Sequence, residues 1–324
     1  MDFQLSEDQQ ALRAGIRSFC DGRVPIDALR ELEKGFDRAL WGELAEMGVF
    51  SLRLSESEGG VGLGSADAVI VFAELGRRLV PGPLVWSHLA ANLVEGAAAG
   101  ETVVGGIEQL RPSNDPVLVE HLDSLDALLV LRQDGVYRVD PKAISAQPAG
   151  TPLDPFTPIF HVKSLPQGEC VGDAALVAKL RREGATFTAA QLAGIAEMTQ
   201  ELATEYAKKR EQFDRPIGSF QAIKHILADC YTRQELARVA AYAAGATLDD
   251  PSVGSVERAT ATAKLIAGDA AMKNARACVQ VHGGMGYTWE IPAHYYLKRV
   301  WVLENAFGDV HEHAEQMAEL IAAD

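Results

Sequence analysis

The chain has 324 residues, of which 48% are hydrophobic and 23% are charged. This balance is typical of a folded globular protein and excludes a chain that is disordered throughout. Thirty Lys and Arg against 45 Asp and Glu leave a net charge of −15, which argues against nucleic acid and anionic membranes as partners because both repel a negative surface.

The four cysteines, Cys20, Cys170, Cys230 and Cys278, show no paired spacing, so we predict neither a disulfide framework nor a metal site. The N-terminal residues lack the basic and apolar pattern of a signal peptide, and no run of 18 uncharged apolar residues occurs. We therefore expect a cytoplasmic protein that is neither exported nor membrane-spanning.

The first hundred residues are predicted to be helical. Ser6 and Gln9 form a capping-box pattern at the start of the first helix. The apolar side chains of that helix share one face: Leu12, Ile16 and Phe19. Two further helices are predicted, one around Leu44 and one that ends near Gly82. The glycine-rich segment 59–64 between them lacks the Lys-Ser/Thr pair of a phosphate-binding loop and is interpreted as a structural turn.

Residues 101–175 change to short β-rich runs separated by Gly, Asp and Pro, which predicts a small β domain. Its strands are predicted at three places: 117–119, 127–131 and 137–139. Beyond this region the pattern is helical again and rich in alanine, which allows close packing of helices in a bundle. The predicted domains are therefore helical at 1–100, β at 101–175 and helical at 176–324.

Two segments carry candidate ligand-binding chemistry, and the first covers residues 209–221. It runs from a charged helix end through a proline-glycine turn into another helix. Arg210 and Arg215 offer planar donors that suit phosphate, and Phe213 offers an aromatic face for a planar ring. A solvated helix end with a hydrophobic staple is the competing interpretation, which the residues taken alone favour.

The second segment, residues 280–288, places three glycines after a long helix, so that backbone amides can approach a ligand closely. A helix C-cap does not require three glycines. His282 by itself is more typical of a structural histidine than of a ligand, and no Cys or Asp stands beside it at metal-ligand spacing. His311 and His313 fall on different sides of any helix and are interpreted as solvated.

Taken together, these segments resemble the acyl-CoA dehydrogenase family. The resemblance rests on motifs that occur in the family's order and spacing: 41–49, 59–62, 74–77, 210–213, 216–221 and 280–287. It implies a mainly α fold with a small β domain, in which an N-terminal helical domain, a middle β domain and a C-terminal four-helix bundle follow one another. It also implies FAD as cofactor, an acyl-CoA substrate and an acceptor that resembles electron-transfer flavoprotein.

In that family FAD lies across a dimer interface, and the resemblance implies that this chain binds the adenosine diphosphate end of a neighbouring subunit's cofactor. The residues so implied are Arg210, Gln212, Phe213, Gln221, Gln280, His282, Gly283 and Gly284. A guanidinium and glycine amides suit a pyrophosphate, and an aromatic side chain can pack on the apolar surface of the cofactor.

The other half of a flavin site has no counterpart in the sequence. The Thr-Glu-Pro, Gly-Ser-Asp and Trp-Ile-Thr motifs of the family's β domain are missing, and all four tryptophans lie outside residues 101–172. The family's basic Glu aligns with Phe307, which cannot accept a proton. Where relatives place the base on the helix that leads to Arg210, the register falls on Gly184, and the adjacent Glu183 is interpreted as a solvated charge.

The resemblance therefore implies a non-catalytic subunit of a heteromeric acyl-CoA dehydrogenase, similar to the short subunits of actinobacterial enzymes that act on steroid side-chain thioesters. Its partner would be a paralogous subunit in an α2β2 heterotetramer. Two alternatives remain open. One is a self-sufficient homo-oligomeric dehydrogenase that uses Glu183 or another acid, and the other is a helical assembly protein without redox activity.

Overall fold

The computed structural model describes residues 4–27, 30, 36–111 and 116–323. Its α-helices are α1 (Glu7–Arg23), α2 (Arg38–Glu46), α3 (Ser65–Arg77), α4 (Leu84–Leu89), α5 (Ala174–Lys209), α6 (Gln221–Asp249), α7 (Val256–His282), α8 (Ala293–Leu303) and α9 (Val310–Ala322). Its strands are β1 (Val104–Glu108), β2 (Val117–Glu120), β3 (Ala127–Leu131), β4 (Gly135–Val139), β5 (Ala146–Pro148), β6 (Ile159–Val162), β7 (Glu169–Asp173), β8 (Glu211–Gln212) and β9 (Arg215–Pro216). None of the helices in these ranges combines the length and hydrophobicity that a membrane crossing requires.

The described residues form two compact units, and each unit is assembled from separate stretches of the chain. The first unit takes its residues from Met1–Arg30, Ser65–Val80 and Ala185–Asp324, and the second from Glu31–Gly64 and Pro81–Gly184. The first unit is helical apart from one short hairpin, whereas the second contains two sheets. The division at 1–100, 101–175 and 176–324 stays a prediction.

Helix α1 begins as its sequence predicts. The backbone N–H of Gln9 donates to Ser6 Oγ at 3.1 Å, and the backbone N–H of Ser6 donates to Gln9 Oε1 at 3.2 Å. Helix α3 ends at Arg77, before the predicted end near Gly82. The reason is that Leu79 adopts a left-handed conformation (φ 53°) while Val80 N–H donates to the carbonyl of Leu75, which closes a Schellman motif just before a proline.

Helix α3 and the second half of α5 pack backbone against backbone. A Cβ atom at Gly194 would lie 1.9 Å from the carbonyl oxygen of Ala73, and one at Gly76 would lie 2.2 Å from that of Gln191. On the other side of α5, the buried Asn274 of α7 donates to the carbonyls of Ala196 (3.2 Å) and of a residue in α6. These contacts join α5, α6 and α7 in the core of the helical bundle.

The second unit is built around strand β3, whose five residues are all buried. Strand β1 pairs with it in parallel and β4 in antiparallel orientation, and β7 extends the sheet beyond β4. Strands β2, β6 and β5 form a separate antiparallel sheet. The predicted strands at 117–119, 127–131 and 137–139 are therefore confirmed, while β1, β5, β6 and β7 were not predicted. The mainly helical fold with a small β region is also confirmed.

The glycine-rich segment 59–64 is a structural turn, as predicted. Gly59 adopts φ +80° and ends a short 3₁₀ turn. A Cβ atom at Gly60 would lie 2.2 Å from the carbonyl oxygen of Leu54, so no other residue fits there without a shift of the backbone.

Candidate functional site

The two candidate segments lie at one end of the helical unit. Helix α7 runs parallel to α5, because Thr260 in the first turns of α7 contacts Thr186 and Asn274, further along α7, contacts Ala196, further along α5. Helix α6 lies between them in the chain and runs the opposite way. The last turns of α5 and α7 and the first turn of α6 therefore meet at the same end of the bundle.

A short hairpin of β8 and β9 connects α5 to α6. The backbone N–H of Ile217 donates to the carbonyl of Arg210 at 2.8 Å, and Gln212 pairs with Arg215 across the hairpin. At its tip Phe213 (φ 55°) and Asp214 (φ 60°) both adopt left-handed backbone conformations, which a two-residue type I′ turn requires. Residues other than glycine rarely adopt this conformation, and here it accompanies a Phe213 side chain that is 87% exposed.

The polar side chains of this hairpin differ in how many partners they have. Arg210 is exposed, and within the described chain its guanidinium forms no ion pair. Gln221, the first residue of α6, is likewise exposed. Arg215 instead lies over the ring of Phe220 at 4.1 Å, and Gln212 donates to a neighbouring backbone carbonyl at 2.8 Å. Arg210 and Gln221 therefore have their donors available to a ligand.

The glycine segment continues α7 as a 3₁₀ turn, Gly283–Tyr287. Gly283 adopts φ +61°, and a Cβ atom at either Gly283 or Gly284 would meet nothing within 4 Å. Gln280, in the last turn of α7, is exposed. The backbone of this segment is thus open on the side where a side chain would project, so a ligand can approach it closely. The Gly283 N–H itself caps α7 by donating to the carbonyl of Gln280.

The side chain of His282 is packed and hydrogen-bonded inside the helical unit, as expected for a structural histidine. Its side chain is buried, and its Nδ1–H donates to the carbonyl oxygen of Cys278 at 2.7 Å. Its ring packs on that of Tyr206 with centroids 4.2 Å apart. Burial lowers the pKa of His282, which keeps the imidazole neutral.

Phe307, which the sequence resemblance aligns with the family's catalytic carboxylate, is a buried aromatic side chain. Phe307 is 2% exposed and adopts φ 55°. The buried Lys264 donates to the carbonyls of Glu304 (2.9 Å) and Gly308 (2.8 Å), which fixes the loop on either side of Phe307. His313 Nε2–H donates to the carbonyl of Phe307 at 3.0 Å and the histidine is buried, so its interpretation as solvated is wrong, whereas His311 is exposed as expected.

The interpretation of Glu183 as a solvated charge is also wrong. Its side chain is 9% exposed, and its carboxylate accepts a hydrogen bond from Arg53 Nη2 at 2.6 Å. Arg53 Nε donates to His88 Nε2 at 2.9 Å, and His88 Nδ1–H donates to the carbonyl of Val49 at 2.8 Å. Burial lowers the pKa of His88 to about 3, so this histidine is neutral. The three side chains form a hydrogen-bonded network inside the second unit, which holds the Glu183 carboxylate in an ion pair with Arg53.

The donor set at the end of the helical unit fits one half of a dinucleotide. A guanidinium without an ion pair, two exposed glutamine amides and a glycine backbone that a ligand can approach closely suit a pyrophosphate and the polar groups attached to it. The described residues contain no group of three or more His, Cys, Asp or Glu side chains that could bind a metal ion.

Comparison with known proteins identifies the family. The pattern of the acyl-CoA dehydrogenase N-terminal domain matches residues 6–98, and that of the C-terminal domain matches residues 177–322. The chain belongs to the acyl-CoA dehydrogenase family, which confirms the resemblance seen in its sequence.

Two relatives come from Mycobacterium tuberculosis. Acyl-CoA dehydrogenase IpdE2 is 34% identical over 90% of this chain and 91% of its own length. Acyl-CoA dehydrogenase FadE34 is 33% identical over 91% of this chain, which spans only 45% of FadE34.

Solved structures share the fold. One chain of the ChsE4-ChsE5 complex from Mycobacterium tuberculosis aligns over 100% of this chain and 100% of its own length, with a TM-score of 0.87 and 24% identity. One chain of a variant of the Tcur3481-Tcur3483 steroid acyl-CoA dehydrogenase aligns over 98% of this chain and 98% of its own length, with a TM-score of 0.83 and 24% identity. A glutaryl-CoA dehydrogenase from Mycobacterium smegmatis in complex with FADH2 aligns over 99% of this chain and 96% of its own with a TM-score of 0.82 and 17% identity.

Proposed function

We propose that this chain is a subunit of an FAD-dependent acyl-CoA dehydrogenase and that it binds the adenosine diphosphate end of the FAD held by a paralogous catalytic subunit. One observation carries the proposal. Arg210, Gln221, Gln280 and the open backbone of Gly283 and Gly284 meet at one end of the helical unit, whereas the position of the catalytic carboxylate holds the buried Phe307.

The roles follow from the chemistry of each group. Arg210 would pair with the pyrophosphate, which could approach the backbone of Gly283 and Gly284 closely because no side chain projects there. Gln221 and Gln280 would bond polar atoms of the adenosine, and the exposed Phe213 ring would pack on the cofactor. Bound FAD supplies the acceptor for the hydride that leaves Cβ of the acyl thioester.

The proton at Cα needs a carboxylate base, and neither candidate position of this chain offers a free one. Phe307 has no titratable group. Glu183 is held by Arg53 in a buried ion pair, so its carboxylate is already engaged within this chain. We therefore assign removal of the α-proton to a carboxylate of the partner subunit.

The substrate and assembly are proposed from the relatives. Two structural neighbours are named as pairs of proteins, and one of them is named a steroid acyl-CoA dehydrogenase. We accordingly propose an α2β2 heterotetramer that dehydrogenates a steroid side-chain CoA thioester to its 2-enoyl product. The electrons would pass to an acceptor that resembles electron-transfer flavoprotein. The unpaired cysteines support a cytoplasmic location for this enzyme.

The test is to purify the chain alone and after co-expression with a paralogous acyl-CoA dehydrogenase subunit, and to record flavin absorbance and protein ratio. We expect a colourless or poorly soluble chain alone and a yellow complex with about one FAD per pair of subunits. Stoichiometric FAD and turnover on the single chain would contradict the proposal and favour a self-sufficient enzyme. A complex that forms without any flavin would favour an assembly protein.

A further inference from the structure

We infer that Tyr206 and His282 are positioning residues whose stacked rings hold the β8–β9 hairpin and the Gly283–Gly284 backbone in one register, so that both can bind the same dinucleotide. This inference rests on the proposed function of that end of the bundle. For the buried His282 this role replaces the direct cofactor contact that the resemblance implies, and Tyr206 is assigned no such contact.

The two rings connect the last turns of α5 and α7 directly. Their centroids lie 4.2 Å apart with an angle of 31° between the planes. The carbonyl of Tyr206 accepts the backbone N–H of Arg210 at 2.8 Å, so Tyr206 lies one turn below the guanidinium. His282 immediately precedes Gly283. The ring pair therefore joins the backbone of one binding segment to the backbone of the other.

The orientation of His282 is fixed by a second contact. Its Nδ1–H donates to the carbonyl oxygen of Cys278 at 2.7 Å, and the side chain is only 6% exposed. Donation through Nδ1 places the single proton of the neutral ring on that nitrogen. The imidazole plane is thus held by a hydrogen bond on one edge and by the Tyr206 ring on its face.

The turn after the β8–β9 hairpin and the turn after α7 both pack against the helix ends that carry these two rings. A Cβ atom at Gly218, beyond the hairpin, would lie 2.9 Å from the carbonyl oxygen of Ala207. One at Gly286 would lie 2.6 Å from the carbonyl oxygen of Val279 and 3.2 Å from Cβ of His282. Because the turns have no clearance from these helix ends, a shift of the ring pair must move the ligand-binding backbone as well. Displacements of about 1 Å are enough to weaken an oriented polar site.

The experiment measures the dissociation constant of FAD for the apo form of the co-purified complex, by titration of flavin fluorescence, with ADP as competitor. The variants are Tyr206→Ala and His282→Ala, which remove a ring, and His282→Phe, which keeps one. Phe187→Leu is the control, because Phe187 stacks on Phe72 in the core of the same unit at 5.2 Å. It precedes Tyr206 in the same helix by 19 residues, which is about 28 Å along the helix axis.

We expect the two alanine variants to raise the dissociation constant about tenfold or more and His282→Phe to raise it less than about threefold. Phe187→Leu should lower the melting temperature without changing FAD affinity. A purely structural role for the rings would instead make affinity follow melting temperature in all four variants, and that result would overturn the inference. Tyr206→Ala keeps the test decisive if His282→Ala does not fold, because Tyr206 is only half-buried.

The substitution Arg210→Ala distinguishes a failure of the positioning role from a failure of the proposed function. If Arg210→Ala weakens FAD binding and the ring variants do not, the positioning role is refuted while the proposed function stands. If Arg210→Ala and the ring variants all leave the dissociation constant unchanged, the proposed adenosine diphosphate site fails and the positioning role fails with it.

Discussion

The substitution Glu183→Gln distinguishes a structural carboxylate from a catalytic one. The Glu183 carboxylate and the Arg53 guanidinium are 2.6 Å apart, and their side chains are 9% and 22% exposed, so solvent screens the pair only weakly. Glutamine keeps an acceptor oxygen but removes the negative charge that faces the Arg53 guanidinium. We expect the free energy of unfolding to fall by about 1.5–3 kcal/mol, the range for a hydrogen bond to a charged group.

Thermal unfolding of the complex, followed by circular dichroism, checks this value, since each kcal/mol lowers the melting temperature by about 2–4 °C in units of 150–250 residues. The matched control is Glu169→Gln, because the Glu169–Arg138 pair lies in the same unit at 2.6 Å but is 64% and 43% exposed. Exposed pairs of this kind contribute about 0–1 kcal/mol. A Glu183→Gln variant as stable as the control would refute the reasoning about burial.

The same variant tests the catalytic assignment. Turnover of the complex and exchange of the substrate's α-proton with D2O should stay within about threefold of the unsubstituted enzyme, because Glu183 is engaged with Arg53. If the complex stayed folded and yellow while α-proton exchange disappeared, this chain would be the catalytic subunit. The proposed division of labour between the two subunits would then have to be inverted.

Arg210→Ala should raise the dissociation constant of FAD about ten- to a hundredfold in titrations of the complex, since a charge-assisted contact of about 1.5–3 kcal/mol is lost; unchanged affinity would remove Arg210 from the site. Because burial lowers the pKa of His88 from 6.5 to about 3, the unfolded chain binds a proton that the folded chain does not. The free energy of unfolding should therefore fall as the pH is lowered below about 6.5, by at most about 1.4 kcal/mol per pH unit. Denaturant titrations at several pH values should show a weaker pH dependence for His88→Gln. Gly194→Ala should destabilise by about 1–3 kcal/mol, whereas Gly268→Ala, with open space around the new methyl group, should stabilise by about 0.4–1 kcal/mol in the same assay.

Local patterns predicted much of the fold because they act within a few residues. The Ser6–Gln9 capping box and the buried apolar run 127–131 are examples, since each is specified by its own side chains. Strand β5 is three residues long and β6 four, and most of their residues are partly exposed, so their composition carries little β signal. The end of α3 was misplaced because the left-handed residue of its C-cap is Leu79 and not glycine.

The environment of single charged residues could not be predicted in the same way. The two arginines next to Glu183 favour a solvated side chain, but its partner Arg53 is 130 residues away in the sequence. Helical spacing places His313 on a solvated face, but it carries no information about the preceding loop, whose Phe307 carbonyl accepts a hydrogen bond from the His313 ring. For the candidate site, the motifs identified the segments, while the stacking of Tyr206 on His282 required the three-dimensional arrangement.

The interleaving of the two units along the chain affects how the protein is synthesised. On the ribosome the second unit is complete once Gly184 has emerged, but the first unit lacks Ala185–Asp324 until that later stretch has followed. Helix α3 is buried at ten of its thirteen positions, and it packs against α6 from that later stretch. We expect the nascent chain to expose this apolar helix until α6 has been made, which makes α3 a natural binding segment for a chaperone and a source of aggregation in any product that is truncated before α6.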